Sequence, residues 1–186
     1  DGLEFIISRL NNPEKDVDNG GIYGLEETLG KGKVWVEVGS AFGLTSMAIA
    51  MLYPGTRIVS IEAAPPNWLM QKLNWECSEV KTDAEPTVLL AGVGPVDGGP
   101  QFAPMRWRAN ATTSVRGWSP KRFIDENEDF ELQIELEPWH SLLSQMGLET
   151  SHDVDVLNVD CEGCEYNFIP ALSEEEFKSI STVMGE

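Results

Sequence analysis

Acidic residues stand where predicted β-strands run out into tight turns, and they are the first sign of chemistry in this chain. Val34-Trp35-Val36-Glu37-Val38 is a run of β-formers that meets Gly39 at once, and Gly43 follows three residues further on. Glu62 closes a second run, Arg57-Ile58-Val59-Ser60-Ile61, and Asp160 closes a third, Val154 to Val159, just before Cys161-Glu162-Gly163-Cys164-Glu165. Carboxylates so placed accept hydrogen bonds from hydroxyls, meet cations and take up protons. A right-handed crossover between the first two strands sets Glu37 and Glu62 side by side at one sheet edge.

The elements that must hold these acids alternate in type. After Gly39, the residues Leu44, Met47, Ala48, Met51 and Leu52 recur at helical spacing until Pro54-Gly55, which is the stripe of a helix packed on a sheet. Pro65-Pro66-Asn67 opens a second helix carrying Leu69, Met70 and Leu73, and Thr87 to Ala91 reads as a third strand closing on Gly92-Val93-Gly94. The stretch from 95 to 136 reads as an insertion beside the sheet, weakly periodic until Leu132 to Leu136 alternates as a strand. After the Asp160 strand come a short helix through Leu172, a capping box at Ser173-Glu174-Glu175-Glu176 and a last strand near Ser181 to Met184. The expected fold class is α/β, a doubly wound, mostly parallel Rossmann-like sheet. Residues 1–30 form a turn-rich lead-in and 31–186 the domain. The ligand is expected outside the carboxyl ends of the strands, at Glu37-Val38-Gly39, Glu62, Ala91-Gly92-Val93 and Asp160-Cys161-Glu162.

Nucleotide-phosphate loops do not fit those ends. No Lys follows Gly39 within reach, and the turn offers two glycines separated by three residues rather than the dinucleotide pattern of three. Acids there would repel a pyrophosphate, but they suit a ligand with ribose hydroxyls and a positive charge. S-adenosylmethionine has an amine to meet an acid, a carboxylate for the first helix's N-terminus, a ribose for Glu62 and an adenine for the third strand's end.

Composition narrows the classes further. The 186 residues include 31 acids and 13 bases, a formal charge of −18, which disfavours nucleic acid and anionic lipid surfaces as partners. The apolar run Leu44 to Tyr53 holds Thr45 and Ser46 and stops at Pro54, too short for a bilayer span. The first residues show no signal peptide, so the chain is expected to begin inside a longer protein and to be cytoplasmic. Three cysteines, an odd count, argue against a disulfide framework and for a reducing compartment. Asn110-Ala111-Thr112 matches a glycosylation pattern and reads as a polar loop.

Taken together, Val36 to Ser46, Ile61-Glu62-Ala63-Ala64-Pro65-Pro66-Asn67 and Asp153 to Glu165 resemble the FkbM-type S-adenosylmethionine-dependent methyltransferases. The likeness runs from about Val34 to the end, and Asp-x-Glu-Gly-x-Glu after a hydrophobic strand is its most specific element. It implies O-methylation of a hydroxyl on a small-molecule, sugar or lipid-like acceptor, with S-adenosylhomocysteine as product. It also implies cofactor contacts from Glu37, Gly39, Ser40, Gly43, Leu44, Thr45, Glu62, Ala63, Asn67, Gly92, Val93 and Asp160. This chain departs from the family with Asn158 in place of a common Lys, with Pro138-Trp139-His140 in place of Thr-Leu-Asp, and by lacking two further C-terminal strands.

Methyl transfer from a sulfonium is an in-line displacement that needs little beyond positioning and proton removal. Asp160 is the expected residue for orienting or deprotonating the acceptor, with Glu162 and Glu165 as acidic neighbours on the substrate side. His140 is a second candidate base by its near-neutral pKa. Three close acids could instead hold a hard cation such as Mg²⁺, the less favoured reading. Cys161 and Cys164 are read as packing thiols, since zinc would need more ligands than the chain supplies and a redox pair is expected ahead of a helix in a thioredoxin-like unit rather than after an Asp-ended strand. The aromatic and basic segment around Trp107 and Ser114 reads as an acceptor platform or a self-packed loop. The competing classes are a non-catalytic interaction domain that retains the fold and a nucleotide-sugar enzyme on a related sheet.

Overall fold

The computed structural model describes residue 25 and residues 28–94, 101–107, 114–115 and 130–185. Residues 1–24, the 110–112 glycosylation pattern and the side chains of Trp107 and Ser114 lie outside the described part. Five strands form one all-parallel sheet: β1 (Val34–Val38), β2 (Arg57–Glu62), β3 (Thr87–Leu90), β8 (Val156–Val159) and β9 (Thr182–Gly185), in spatial order β3-β2-β1-β8-β9. Helices cover both faces, as the alternation of side chains requires. Trp35, Ile58 and Val156 point toward the helix α1 (Leu44–Leu52) and bury against Ile49 and Ala50. Val36, Val59 and Leu157 point the other way, into a larger core with Trp139, Leu142 and Leu143 of α3 (Trp139–Gln145) and Phe168 of α4 (Glu165–Phe168). The central strands β2, β1 and β8 are thus buried on both sides, which is why they read as apolar runs. The architecture is a Rossmann-like α/β sheet, and the chain reverses direction of winding between β1 and β8, where such sheets open a crevice.

Three expectations about the elements need correction. The third strand ends at Leu90, and Gly92–Val93 is no turn: it is a short strand, β4, that pairs in parallel with β7 (Phe130–Glu137) in a second sheet. That sheet, ordered β4-β7-β5-β6, includes β5 (Gln101–Trp107) and β6 (Ser114–Val115), so the 95–136 insertion supplies an antiparallel layer. Pro104 hid β5 from sequence reasoning. It sits opposite Gln133 of β7, and a proline inside a run argues against reading that run as a strand. The helix α2 (Pro65–Cys77) is present, but its apolar stripe faces out: Leu69, Met70 and Leu73 are exposed, and the buried positions are Asn67 and Gln71. The capping box forms as expected, with Glu176 and Ser173 exchanging backbone and side-chain bonds at the start of α5 (Glu174–Ser179).

Two close approaches fix the sheet edge. Gly39 has φ of 83°, and a Cβ there would collide with the carbonyl of Asp160. Gly43, at φ 75°, caps α1 against the side chain of Gln71. Replacing Gly39 by Ala adds an unfavourable backbone conformation to a main-chain clash. The expected outcome for Gly39→Ala is a loss of about 3 kcal/mol or more of unfolding free energy, measured by urea denaturation, with soluble expression reduced accordingly.

Candidate functional site

The register of the central strands aligns their tips. Val38 pairs with Ile61 on one side and with Val159 on the other, so Gly39, Glu62 and Asp160 leave the sheet at one level. Backbone bonds stitch this edge: Gly39 N–H donates to Ile61 O at 2.9 Å, Asp160 N–H to Val38 O at 2.9 Å and Ala91 N–H to Glu62 O at 3.1 Å. Above the edge opens a cleft that is partly open to solvent. Its floor is Val38, Gly39, Ala41, Ile61, Glu62 and Ala63, and one wall is Asp160, Cys161, Glu162 and Cys164. The opposite wall is apolar, made by Ala91, Gly92 and Val93 with Met105, Ile134 and Leu136 of the second sheet.

Glu62 is almost fully buried at the floor. Its Oε2 accepts from the Ala41 amide and its Oε1 from the Ala64 amide, both at 2.8 Å, with Asn67 Nδ2 at 3.5 Å. Burial raises its pKa, and those amides oppose the rise. A carboxylate oxygen that has taken one amide still has a lone pair for a hydroxyl reaching in from the cleft.

Glu37 occupies a different place from the one expected. It shares a sheet face with Glu62, but it lies one row below the edge and does not line the cleft. It aligns with Ser60 of β2 and Asn158 of β8. Its carboxylate accepts from the Ser46 hydroxyl on α1 and from Asn158 Nδ2 at 3.3 Å, while the Ser46 and Ser60 hydroxyls are 2.9 Å apart. Asn158, read from the sequence as a departure from a common Lys, is a neutral donor to Glu37. Burial pushes the Glu37 carboxyl from 4.5 up to about 7, and the negative charge of Asp160 adds to the push against the bonds from Ser46 and Asn158.

The remaining expected cofactor and substrate residues divide. Gly39, Glu62, Ala63, Gly92, Val93, Asp160 and Glu162 do line the cleft. Ser40 turns under the floor and donates to Gln71 Oε1 at 2.8 Å, and Asn67 is buried beside Glu62. Gly43, Leu44 and Thr45 shape the turn and open α1 without lining the cleft. Glu165 also stays out of it: its carboxylate accepts from the amides of Cys161 and Gly163, each at 2.7 Å, and so shapes the loop above β8.

Two readings are overturned. His140 is not at the cleft. The first turn of α3 sends Trp139 inward, where its Nε1–H donates to Ser151 Oγ at 2.9 Å, and leaves His140 exposed, 3.6 Å from Glu176. The Cys161 and Cys164 thiols are not separate packing residues, because they are joined in a disulfide with Cα atoms 5.5 Å apart, leaving Cys77 exposed and free. The odd cysteine count therefore concealed a pair. Sequence reasoning also missed Met105, Ile134 and Leu136 as cleft residues. The alternation of Ile134 and Leu136 signalled an inward face, but nothing in it said that the face would cover this edge.

Among the described residues no three His, Cys, Asp or Glu side chains converge as metal ligands, and no helix is long and apolar enough to cross a membrane. The chain matches no protein-family model, no curated protein and no solved structure.

A carboxyl with a raised pKa in the folded state binds its proton more tightly folded than unfolded, so it stabilises the fold below its unfolded pKa and that stabilisation is lost as pH rises through the folded value. For Glu37 the window runs from 4.5 to about 7, and the loss is on the order of 3 kcal/mol. Unfolding free energy measured in urea is expected to fall between pH 5 and pH 8, with Glu62 contributing in the same direction. Glu37→Gln, which keeps the shape without the charge, is expected to flatten that slope and to exceed the parent's stability at pH 8.

Proposed function

We propose that the chain is an S-adenosylmethionine-dependent methyltransferase that methylates a hydroxyl oxygen of a small-molecule or glycan-like acceptor. The observation that carries this reading is the pairing, across one cleft, of the Glu62 carboxylate at the β2 tip with an apolar wall from Ala91, Val93, Met105, Ile134 and Leu136. A nucleoside asks for that combination: a planar base for the apolar side and vicinal hydroxyls for an acid. The cleft lies at the winding reversal beside a glycine turn. The cofactor supplies a sulfonium methyl group open to in-line attack.

The chain's own residues do the rest by placement. Glu62 accepts from the ribose hydroxyls, and the Gly39 turn lets the backbone approach closely. Asp160, on the cleft wall, accepts the proton of the acceptor hydroxyl as the oxygen attacks. Glu37 acts from below by holding Ser46 of α1 and Asn158 of β8 in place. The exposed stripe Leu69, Met70 and Leu73 favours a second reading, a protein-binding domain on the same fold.

Calorimetry with S-adenosylhomocysteine and transfer of labelled methyl groups to a panel of hydroxylated acceptors separate the two readings. Micromolar binding is expected, weakened about tenfold or more in Glu62→Gln, since a hydrogen bond to a charged group is lost from the cleft. Asp160→Asn should bind within a few-fold of the parent yet transfer about 100-fold more slowly, and His140→Ala should change neither. Binding without transfer to any acceptor would favour the protein-binding reading, and no binding of the nucleoside at all would end the methyltransferase reading.

A further inference from the structure

The proposed reaction leaves the Cys161–Cys164 disulfide idle, although both half-cystines line the cleft beside Asp160 and Glu162. Cys164 is buried and Cys161 is half-buried, so a thiol entering the cleft meets Cys161 first. The bond closes a loop whose middle residues, Glu162 and Gly163, have φ of 54° and 124°, and a non-glycine residue keeps such a conformation only where its surroundings impose it. The same loop is clasped a second time by Glu165, which takes the amides of Cys161 and Gly163 at 2.7 Å each. Glu165 Oε1 also lies 3.2 Å from Cys161 Sγ.

We propose that Cys161 and Cys164 form a thiol–disulfide redox site whose partner is a dithiol reductant, and that its state sets how firmly the cleft wall from Asp160 to Glu165 is held. A thiolate of the reductant attacks Cys161 Sγ. The Cys161–Cys164 bond breaks, and its electron pair leaves on Cys164 Sγ, which takes up a proton. The reductant's second thiolate then attacks its own sulfur in the mixed disulfide, Cys161 departs and is protonated, and the reductant ends as a disulfide, two electrons having passed to the protein. The new Cys161 thiol donates to Glu165 Oε1 and competes with the loop amides for that carboxylate. Reduction thus removes one clasp and weakens the other. This inference goes beyond methyl transfer and does not need it.

The test takes protein purified without reductant and equilibrates it with reduced and oxidised dithiothreitol. Alkylation and mass spectrometry should find Cys161 and Cys164 blocked together or not at all, with Cys77 modified in both states as an internal count. Hydrogen exchange of the amides from Cys161 to Glu165 should quicken by about fivefold or more on reduction, while those of β1 and β2 stay constant. The double variant Cys161→Ser, Cys164→Ser should exchange like the reduced parent in both buffers. Equal exchange in the two states, or a bond that yields to dithiothreitol only when urea has unfolded the sheet, would overturn the proposal. S-adenosylhomocysteine affinity, measured in both states, is expected to fall about fivefold or more on reduction. Absence of binding in both states would count against the methyltransferase reading and leave the exchange result to decide the redox site.

Discussion

The arrangement of this site depends on one buried carboxylate that holds two loops at once. Glu62 binds the amide of Ala41, in the turn after β1, and the amide of Ala64, at the start of α2. Taking a carboxylate out of water is costly, and the cost is offset only when its oxygens are met by well-placed donors. Here the donors come from the two backbone segments that border the cleft floor. The same bonds that make Glu62 tolerable in the interior therefore fix where the glycine turn and the second helix begin. An apolar residue at 62 would pack, but it would leave both amides without their acceptor and the turn without its anchor.

A second polar layer lies directly beneath. Glu37, Ser60 and Asn158 form one row across three neighbouring strands, with Ser46 reaching in from α1. When Glu37 is ionised, Ser46 gives its hydroxyl proton to the carboxylate, so Ser60 must be the donor in the bond between the two serines. The row ties α1 to both strands that flank β1. Burial raises the Glu37 carboxyl to about 7, and the Asn158 amide opposes that rise with a hydrogen bond that carries no charge.

The parallel sheet was legible because its central strands are buried on both faces and end at punctuating residues: Gly39, Glu62 and Asp160 each mark a tip. The second sheet was largely hidden, since Pro104 interrupts β5 and only Leu132 to Leu136 alternates cleanly. At the site, residue type identified the acids, but it did not separate those in the cleft, Glu62, Asp160 and Glu162, from those that support it, Glu37 and Glu165. That distinction rests on pleat and row, and one row along a strand moves a carboxylate from the edge into the interior. His140 shows the same limit on a helix, where its neighbour Trp139 claimed the inward position.

α2 shows how far the site overrides ordinary patterning. Its apolar residues Leu69, Met70 and Leu73 would normally choose the buried side, yet Asn67 and Gln71 are buried. The reason lies at the helix's first turn. Ala64 must present its amide to Glu62, which fixes the helix rotation and sends Asn67 toward the same carboxylate and Gln71 beneath Gly43, where it accepts the Ser40 hydroxyl. Once that rotation is set, residues 69, 70 and 73 face away from the sheet. Burying them instead would turn Asn67 and Gln71 to solvent, removing the acceptor for Ser40 and a donor to Glu62. The helix therefore keeps its polar face inward because the glycine turn and the acid it serves are themselves polar and buried.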